Sequence, residues 1–160
     1  MGKNGQKEKL NFDETVKAKI RFLEAHNLMS LATSNNDKVT VRTVTYVSDA
    51  MNIYFLSSQH HTKCVQIEAN SKVAACIENV QIQGKAEILG KPLDARNKEY
   101  ADIYRRKLPE VFEDFAEKPE MVIVKMIPGF FETYVRNAER EYLEHLDLEN
   151  KTAYVFEEFK

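Results

Sequence analysis

Leu28-Met29-Ser30-Leu31-Ala32-Thr33-Ser34, then Asn35-Asn36-Asp37-Lys38, then Val39-Thr40-Val41-Arg42-Thr43-Val44-Thr45-Tyr46-Val47-Ser48, is the stretch from which the fold can be read. Four polar turn formers separate two runs suited to extended backbone, the second rich in β-branched residues, which is a hairpin pattern. Asp49-Ala50-Met51-Asn52 turns the chain again, and Ile53 to Ser57 is a short apolar strand. Thr62 to Ala69 reads as two turns of helix ended by Asn70, and Val73 to Ile77 as the next strand. Gln81 to Leu89 alternates: Ile82, Gly84, Ala86 and Ile88 face one way, Gln81, Gln83, Lys85 and Glu87 the other. No proline occurs before Pro92, so these strands can pair on both edges. The connections are too short for most parallel crossovers. The pattern therefore predicts a mainly β fold with some α, a small antiparallel barrel.

The flanks read less sharply. Phe12 to His26 has Val16, Ile20 and Leu23 at helical spacing, with Asn11 and Glu14 as a capping box and Asn27 as C-cap. Residues 1–10 are polar and expected to be disordered. After Pro92, Asp94 is expected to cap a helix carrying Tyr100, Ile103, Tyr104 and Leu108, and Pro109 to open a second. Met121 to Ile127 and Phe130 to Arg136 read as two strands joined at Pro128-Gly129. The acidic stretch from Asn137 to about Leu148 predicts a helix, and Thr152 to Phe156 a last strand. No linker or repeat divides the chain, so one domain over 1–160 is expected, with 137–160 as a C-terminal extension.

Composition narrows the function. At 160 residues, 43% hydrophobic and 30% charged, the chain has the make-up of a soluble globular protein. A net charge of −2 argues against a nucleic-acid or anionic-membrane binder. The longest apolar run, around Met121–Ile127, is broken by Lys125 and far too short to span a bilayer. Cys64 and Cys76 form no metal or disulfide pattern, and reduced thiols in a cytoplasmic protein are expected. The five glycines build neither GxGxxG nor a P-loop. Any phosphate here must be held by side chains and a helix end.

The residues for that task lie close together in sequence. Arg42 sits between apolar neighbours on its strand face, where its planar fork either snorkels to water or meets an anion. Ser57-Ser58-Gln59-His60-His61-Thr62-Lys63 leads into a helix whose first N–H groups are unpaired, with Ser58, Thr62 and Lys63 beside them. A helix end contributes about 0.3–1 kcal/mol to anion binding. A cation some 4 Å from a unit charge contributes on the order of 4 kcal/mol at an effective dielectric near 20, before desolvation. Arg42 and Lys63 would dominate, with hydroxyls fixing orientation. The same residues also have plainer readings, as a solvated Arg and an ordinary helix cap. Adjacent His60 and His61 diverge and lack a third ligand, so no metal site is expected. His26 and His145 read as structural or solvated, and no catalytic acid–base pair or triad stands out.

The order of these pieces resembles the pyridoxamine 5′-phosphate oxidase-like family, the FMN-binding split barrels. The resemblance runs from about Phe22 to Leu89. It is carried by Leu28–Thr33, Arg42-Thr43-Val44-Thr45, Ile53-Tyr54-Phe55-Leu56-Ser57, Thr62-Lys63 with the helix to Asn70, and Gly84-Lys85-Ala86-Glu87. It implies an FMN-binding split β-barrel, Greek-key-like, with flanking helices, acting as a homodimer with FMN at the interface. Arg42 and Lys63 would then grip the phosphate, with Ser58 and Thr62 beside them. Thr43, Val44, Thr45, Leu56 and Ser57 would line the ribityl chain and ring, and Asn79 would reach in from the second subunit. It also implies an FMN-dependent oxidoreductase using a small-molecule substrate or a donor such as NAD(P)H. A non-catalytic flavin- or haem-binding carrier or sensor is the alternative. Two departures stand out: Thr62 replaces a basic residue of many relatives, and the C-terminal Arg-x-His element of the vitamin B6 oxidase is missing. Oxidation of vitamin B6 is therefore disfavoured.

Overall fold

The structure is a computed structural model that describes residues 6–157. Its elements are β1 (Gln6–Lys9), α1 (Phe12–Glu24), β2 (Leu28–Asn35), β3 (Lys38–Thr45), β4 (Val47–Asp49), β5 (Asn52–Ser58) and α2 (Thr62–Ala69). There follow β6 (Lys72–Ile77), β7 (Val80–Gly90), a 3-10 turn (Ala95–Asn97), α3 (Lys98–Lys107), α4 (Pro109–Phe115), β8 (Met121–Arg136), β9 (Glu141–Asp147) and β10 (Thr152–Glu157). Every ladder is antiparallel, in the order β1-β10-β9-β8-β7-β6-β2-β3, while β5 pairs with both β4 and β8. This is a split barrel with flanking helices. No hydrogen-bonded ladder joins β3 to β5 among the described residues, and this gap is where the site lies.

The hairpin reading holds residue by residue: Leu28 pairs with Thr45 and Asn35 with Lys38. Asn36 and Asp37 take positive φ, 49° and 62°, which these short polar residues tolerate in turns. Tyr46 ends β3. Its ring is fully buried, its N–H donates to the Asn27 carbonyl and its hydroxyl to the Leu23 carbonyl at 3.0 Å, which ties the end of α1 to the sheet.

Four expectations need correction. Glu141–Asp147 is a strand, because β8 and β10 pair with it on either side and outweigh its helix-favouring composition. Glu144 meets Lys19 of α1, and Leu146 is fully buried in the core. Met121–Arg136 is one strand, not two. Gly84 pairs with Pro128 and Gln83 with Phe130, so Gly129 is the extra residue of a bulge beside Pro128, which lacks an N–H to donate. Gln6–Lys9 is a strand against Tyr154–Glu157, whereas the disorder expected of residues 1–5 lies outside the described residues. The helix caps shift too: Ala25, not Asn27, closes α1, and Asp94 leads into the 3-10 turn without a side-chain capping bond. Asn11 caps α1 as read, accepting from the Glu14 amide at 3.0 Å.

Two apolar clusters flank the barrel wall. The larger fills the barrel with Leu31, Phe55, Ile82, Val124, Met126 and Phe131. The smaller packs α3 and α4 against the outer side, through Tyr54, Tyr104, Phe112 and Ile123. Strand β8 serves both, Val122 and Val124 turning to one and Ile123 to the other.

Helix α1 is pinned by Lys19, only 7% exposed, whose ammonium donates to Thr133 Oγ1 at 2.9 Å and meets Glu144 Oε1 at 3.0 Å. Removing one partner of such a pair leaves a partly buried carboxylate uncompensated. Glu144 keeps some access to water, so Lys19→Ala is expected to cost about 1–2 kcal/mol, read as a lower urea midpoint with unchanged m.

Candidate functional site

Arg42 projects from β3 toward the start of α2. Its Nη1 donates to Thr33 Oγ1 at 2.7 Å and to the Leu31 carbonyl at 3.3 Å, and its Nη2 to Thr40 Oγ1. Both threonines donate in turn to Gln66 Oε1, at 2.5 and 2.7 Å, and Gln66 Nε2 donates to the Lys38 carbonyl. Gln66 thus clamps α2 to the β2–β3 hairpin and fixes the guanidinium. Sequence reasoning missed this brace. The signal was there, since a Gln on the inward face of a short helix must find partners.

Helix α2 begins where the turn after β5 brings it. The Ser58 carbonyl accepts from the His61 amide at 3.1 Å, and Ser58 Oγ from the His60 amide at 3.3 Å. Ser57 Oγ donates to the Ser58 carbonyl at 3.1 Å. The two serines therefore build the turn as well as lining the site. His61 is the N-cap, with no side-chain capping bond, so the first amides of α2 remain open to a ligand.

Arg42 and Lys63 line the same cavity, an open one of about 460 Å³, together with Thr40, His60, His61 and Thr62. Burial lowers the basicity of both cations, and the Arg42 charge lowers that of Lys63 further. No carboxylate lines the cavity. Two partly desolvated cations without an acid between them form a ready anion site.

A second cavity of about 240 Å³ adjoins it, sharing His61 and Lys63. Thr43, Val44 and Thr45 of β3 form one wall and Leu56, Ser57 and Ser58 of β5 the other. It is the gap between those strands. Tyr104, Val111, Phe115 and Met121 close its apolar side, and no local pattern marked them, because only the docking of α3 and α4 brings them there. Nine of the ten site residues expected from sequence thus line two joined cavities. Asn79 does not: it lies in the β6–β7 turn, its Nδ2 donating to the Tyr134 carbonyl at 2.6 Å. A larger cavity of about 540 Å³ lies at the β7–β8 bulge, lined by Lys72, Gly84, Lys85 and Glu149 among others, and contains none of the ten.

The other candidates are quieter. Cys64 is buried beneath the cations, and burial raises its thiol above the usual range. His145 Nε2 is 2.8 Å from Glu132 Oε2, and its ring packs against Phe130, Tyr154 and Phe156. It is not placed to ligate anything from solvent. His26 Nδ1 donates to the Phe22 carbonyl at 2.7 Å, which raises its pKa, with Glu78 assisting.

Two cations thus share a cavity beside a gap in an antiparallel split barrel. Residues 15–129, well over half of the sequence, match the family model for pyridoxamine 5′-phosphate oxidase, and the chain belongs to that family. No curated protein sequence matches it. Solved structures share the fold. A proposed pyridoxamine 5′-phosphate oxidase from Listeria innocua is 19% identical, with 74% of this chain and 97% of that one covered and a TM-score of 0.59. A FAD-binding protein from Mesorhizobium loti is 16% identical, covering 78% and 94%, at a TM-score of 0.58. The haem storage protein HutZ from Vibrio cholerae is 11% identical, covering 74% and 91%, at a TM-score of 0.57. At these identities the likeness concerns the fold alone.

Proposed function

We propose that the chain is an FMN-dependent oxidoreductase acting as a homodimer in the cytoplasm. The observation that carries this reading is the pair Arg42 and Lys63, facing one cavity with a helix start and no carboxylate. A phosphate monoester fits that donor set, held by the guanidinium, the ammonium and the open amides of α2. The ribityl chain and ring would extend along Thr43–Thr45 and Leu56-Ser57, with Tyr104, Val111 and Phe115 keeping water from one side. FMN, when bound, supplies the redox chemistry, so these residues need only hold, orient and shield it. The substrate is a small molecule, with an electron donor such as NAD(P)H.

A second copy is supported by β3 itself. It is the edge strand of the main sheet, and its Val39 and Val41 are 71% and 68% exposed, on the face opposite Thr40 and Arg42. An edge strand with bare valines calls for a cover. The partner's Asn79 could then meet the flavin, a role it does not play within its own chain.

Vitamin B6 oxidation remains disfavoured on the arginines near the C-terminal strands. Arg136 pairs with Glu141 at 2.9 Å and Arg140 with Glu157 at 2.9 Å, so acids of the chain already engage them. No helix among the described residues is long and apolar enough to cross a membrane.

Titration with FMN tests the reading. The protein is expected to bind it with a micromolar or lower dissociation constant, seen as quenched flavin fluorescence and a shifted visible band, and to consume NADH or NADPH when an acceptor is added. Failure to bind FMN removes the proposal. Binding without turnover favours a carrier. The haem alternative is favoured by the exposed His60 and His61 at the cavity mouth and by the likeness to HutZ. A haem Soret shift in place of FMN binding would select it.

A further inference from the structure

All four helices pack against the two apolar clusters, and the residues of the main sheet that point the other way carry no helix. Strand pairing sets those residues in rows. Thr43, Ser30, Cys76 and Gln81 are partners across β3, β2, β6 and β7, and Val41, Ala32, Ala74 and Gln83 form the next row. Their neighbours along the strands, such as Leu31, Ala75 and Ile82, are buried, so these eight face outward, all exposed except half-buried Ala32.

None of the eight is charged, although 30% of the chain is. A sheet surface left to water carries polar and charged residues, as this one does where it ends at Lys72, Lys85 and Glu87. Depletion of charge is the mark of an interface core. The size fits as well. From β3 to β9 the rows cross six strands, about 29 Å at a spacing of about 4.8 Å, and Leu28 to Ser34 run about 20 Å along β2. That is about 600 Å² in projection, and side-chain relief raises it toward the about 800 Å² that each copy buries in a stable pair.

The charges at the ends of β6 select the occupant. Its exposed residues run Lys72, Ala74 and Cys76, then Glu78 in the turn that follows: a cation, two small neutral residues and an acid. Turned over about a two-fold axis between Ala74 and Cys76, the strand lies antiparallel on its own copy, with Lys72 of one opposite Glu78 of the other at both ends. Lys72 stands directly across from Lys85, a pairing that like charges disfavour, and has no ion pair among the described residues. Glu78, although in contact with His26, keeps 67% of its side chain exposed.

We propose that a second copy packs face to face on this outer surface of β3, β2, β6 and β7, about that axis. This deepens the two-copy reading above by naming its surface. Thr43 also borders the cavity between β3 and β5, so the copy lies beside the flavin gap and limits access to it. Only that consequence rests on the flavin reading.

Sedimentation at micromolar concentration tests the surface. The wild type is expected at twice the single-chain mass of 18.5 kDa, and Ala74→Arg, with a charge at the centre of the surface, at the single-chain mass. Val65→Glu, at a 53% exposed position on α2, is expected to leave the dimer intact. Lys72→Glu and Glu78→Lys are each expected to weaken association about tenfold, and mixing the two variants to restore it, which no folding defect imitates. A wild type at the single-chain mass overturns the proposal and leaves the surface to a different partner. An Ala74→Arg variant that stays dimeric, or charge variants that do not recover on mixing, also overturn it. A dimer that responds as expected but binds no FMN upholds the surface and removes the flavin reading. FMN binding by a protein whose dimer ignores Ala74→Arg does the reverse.

Discussion

Lys63→Ala is expected to weaken FMN binding by about 10- to 100-fold, the loss of one hydrogen bond to a charged group. Riboflavin binding should be almost unchanged, since in the proposed site only the phosphate would meet the ammonium. The fold should also be unaffected, because Lys63 forms no ion pair among the described residues and its one side-chain contact is to exposed His61. Arg42→Ala is expected to lose a similar affinity but to lose stability as well. Its guanidinium donates to Thr33, Thr40 and the Leu31 carbonyl, and removing it leaves those acceptors and the Gln66 brace short of a partner. Fluorescence titration with both flavins, paired with thermal melts, separates the two effects. Equal FMN affinity in Lys63→Ala and the wild type would refute the phosphate clasp.

Gly84→Ala is expected to be the most damaging of the small substitutions considered. A Cβ there would lie 2.4 Å from the Ile127 carbonyl oxygen, 3.0 Å from its carbon and 3.1 Å from Pro128 Cα. All three are backbone atoms of the neighbouring strand, so no side chain can swing aside. The bulge that carries Pro128 through β8 has to open. A cost of about 2–4 kcal/mol follows, at the upper end of overpacking effects. For a chain of this length that lowers Tm by about 5–15 °C, measurable by calorimetry or circular dichroism. A melting temperature within a degree of the wild type would show that the strands separate there at little cost.

What the sequence disclosed and what it hid divide along a physical line. The hairpin at Leu28–Thr45 and the helix at Thr62–Ala69 were readable because their signals are local: β-branched runs, polar turn formers, and a closing Asn70. The Arg42–Lys63 cavity was readable for a related reason, as its parts lie within about twenty residues of one another. The strand at Glu141–Asp147 was not. Its Glu and Leu residues favour a helix locally, and only pairing with Phe130–Arg136 and Thr152–Phe156 decides otherwise. Gln6–Lys9 was hidden in the same way, since a short polar segment becomes a strand only when a distant edge receives it. The apolar wall of the inner cavity, Tyr104, Val111 and Phe115, depends on how two helices dock, which no spacing within them encodes. Arg42 could be singled out from its neighbours on the strand, but its brace through Gln66 required the distance between helix and hairpin.

The sixteen-residue strand β8 has a consequence for how the molecule comes apart. Val122 and Val124 belong to one packing centre and Ile123 to the other, so neighbouring residues on one backbone answer to different interiors. The two interiors thus share one strand, and loosening of either is expected to strain the other. Damage to either side is transmitted to its opposite by a shift of a single peptide unit. A lesion in the outer helices, whose Tyr104, Val111 and Phe115 share a cavity with Lys63, would therefore be felt at the gap between β3 and β5.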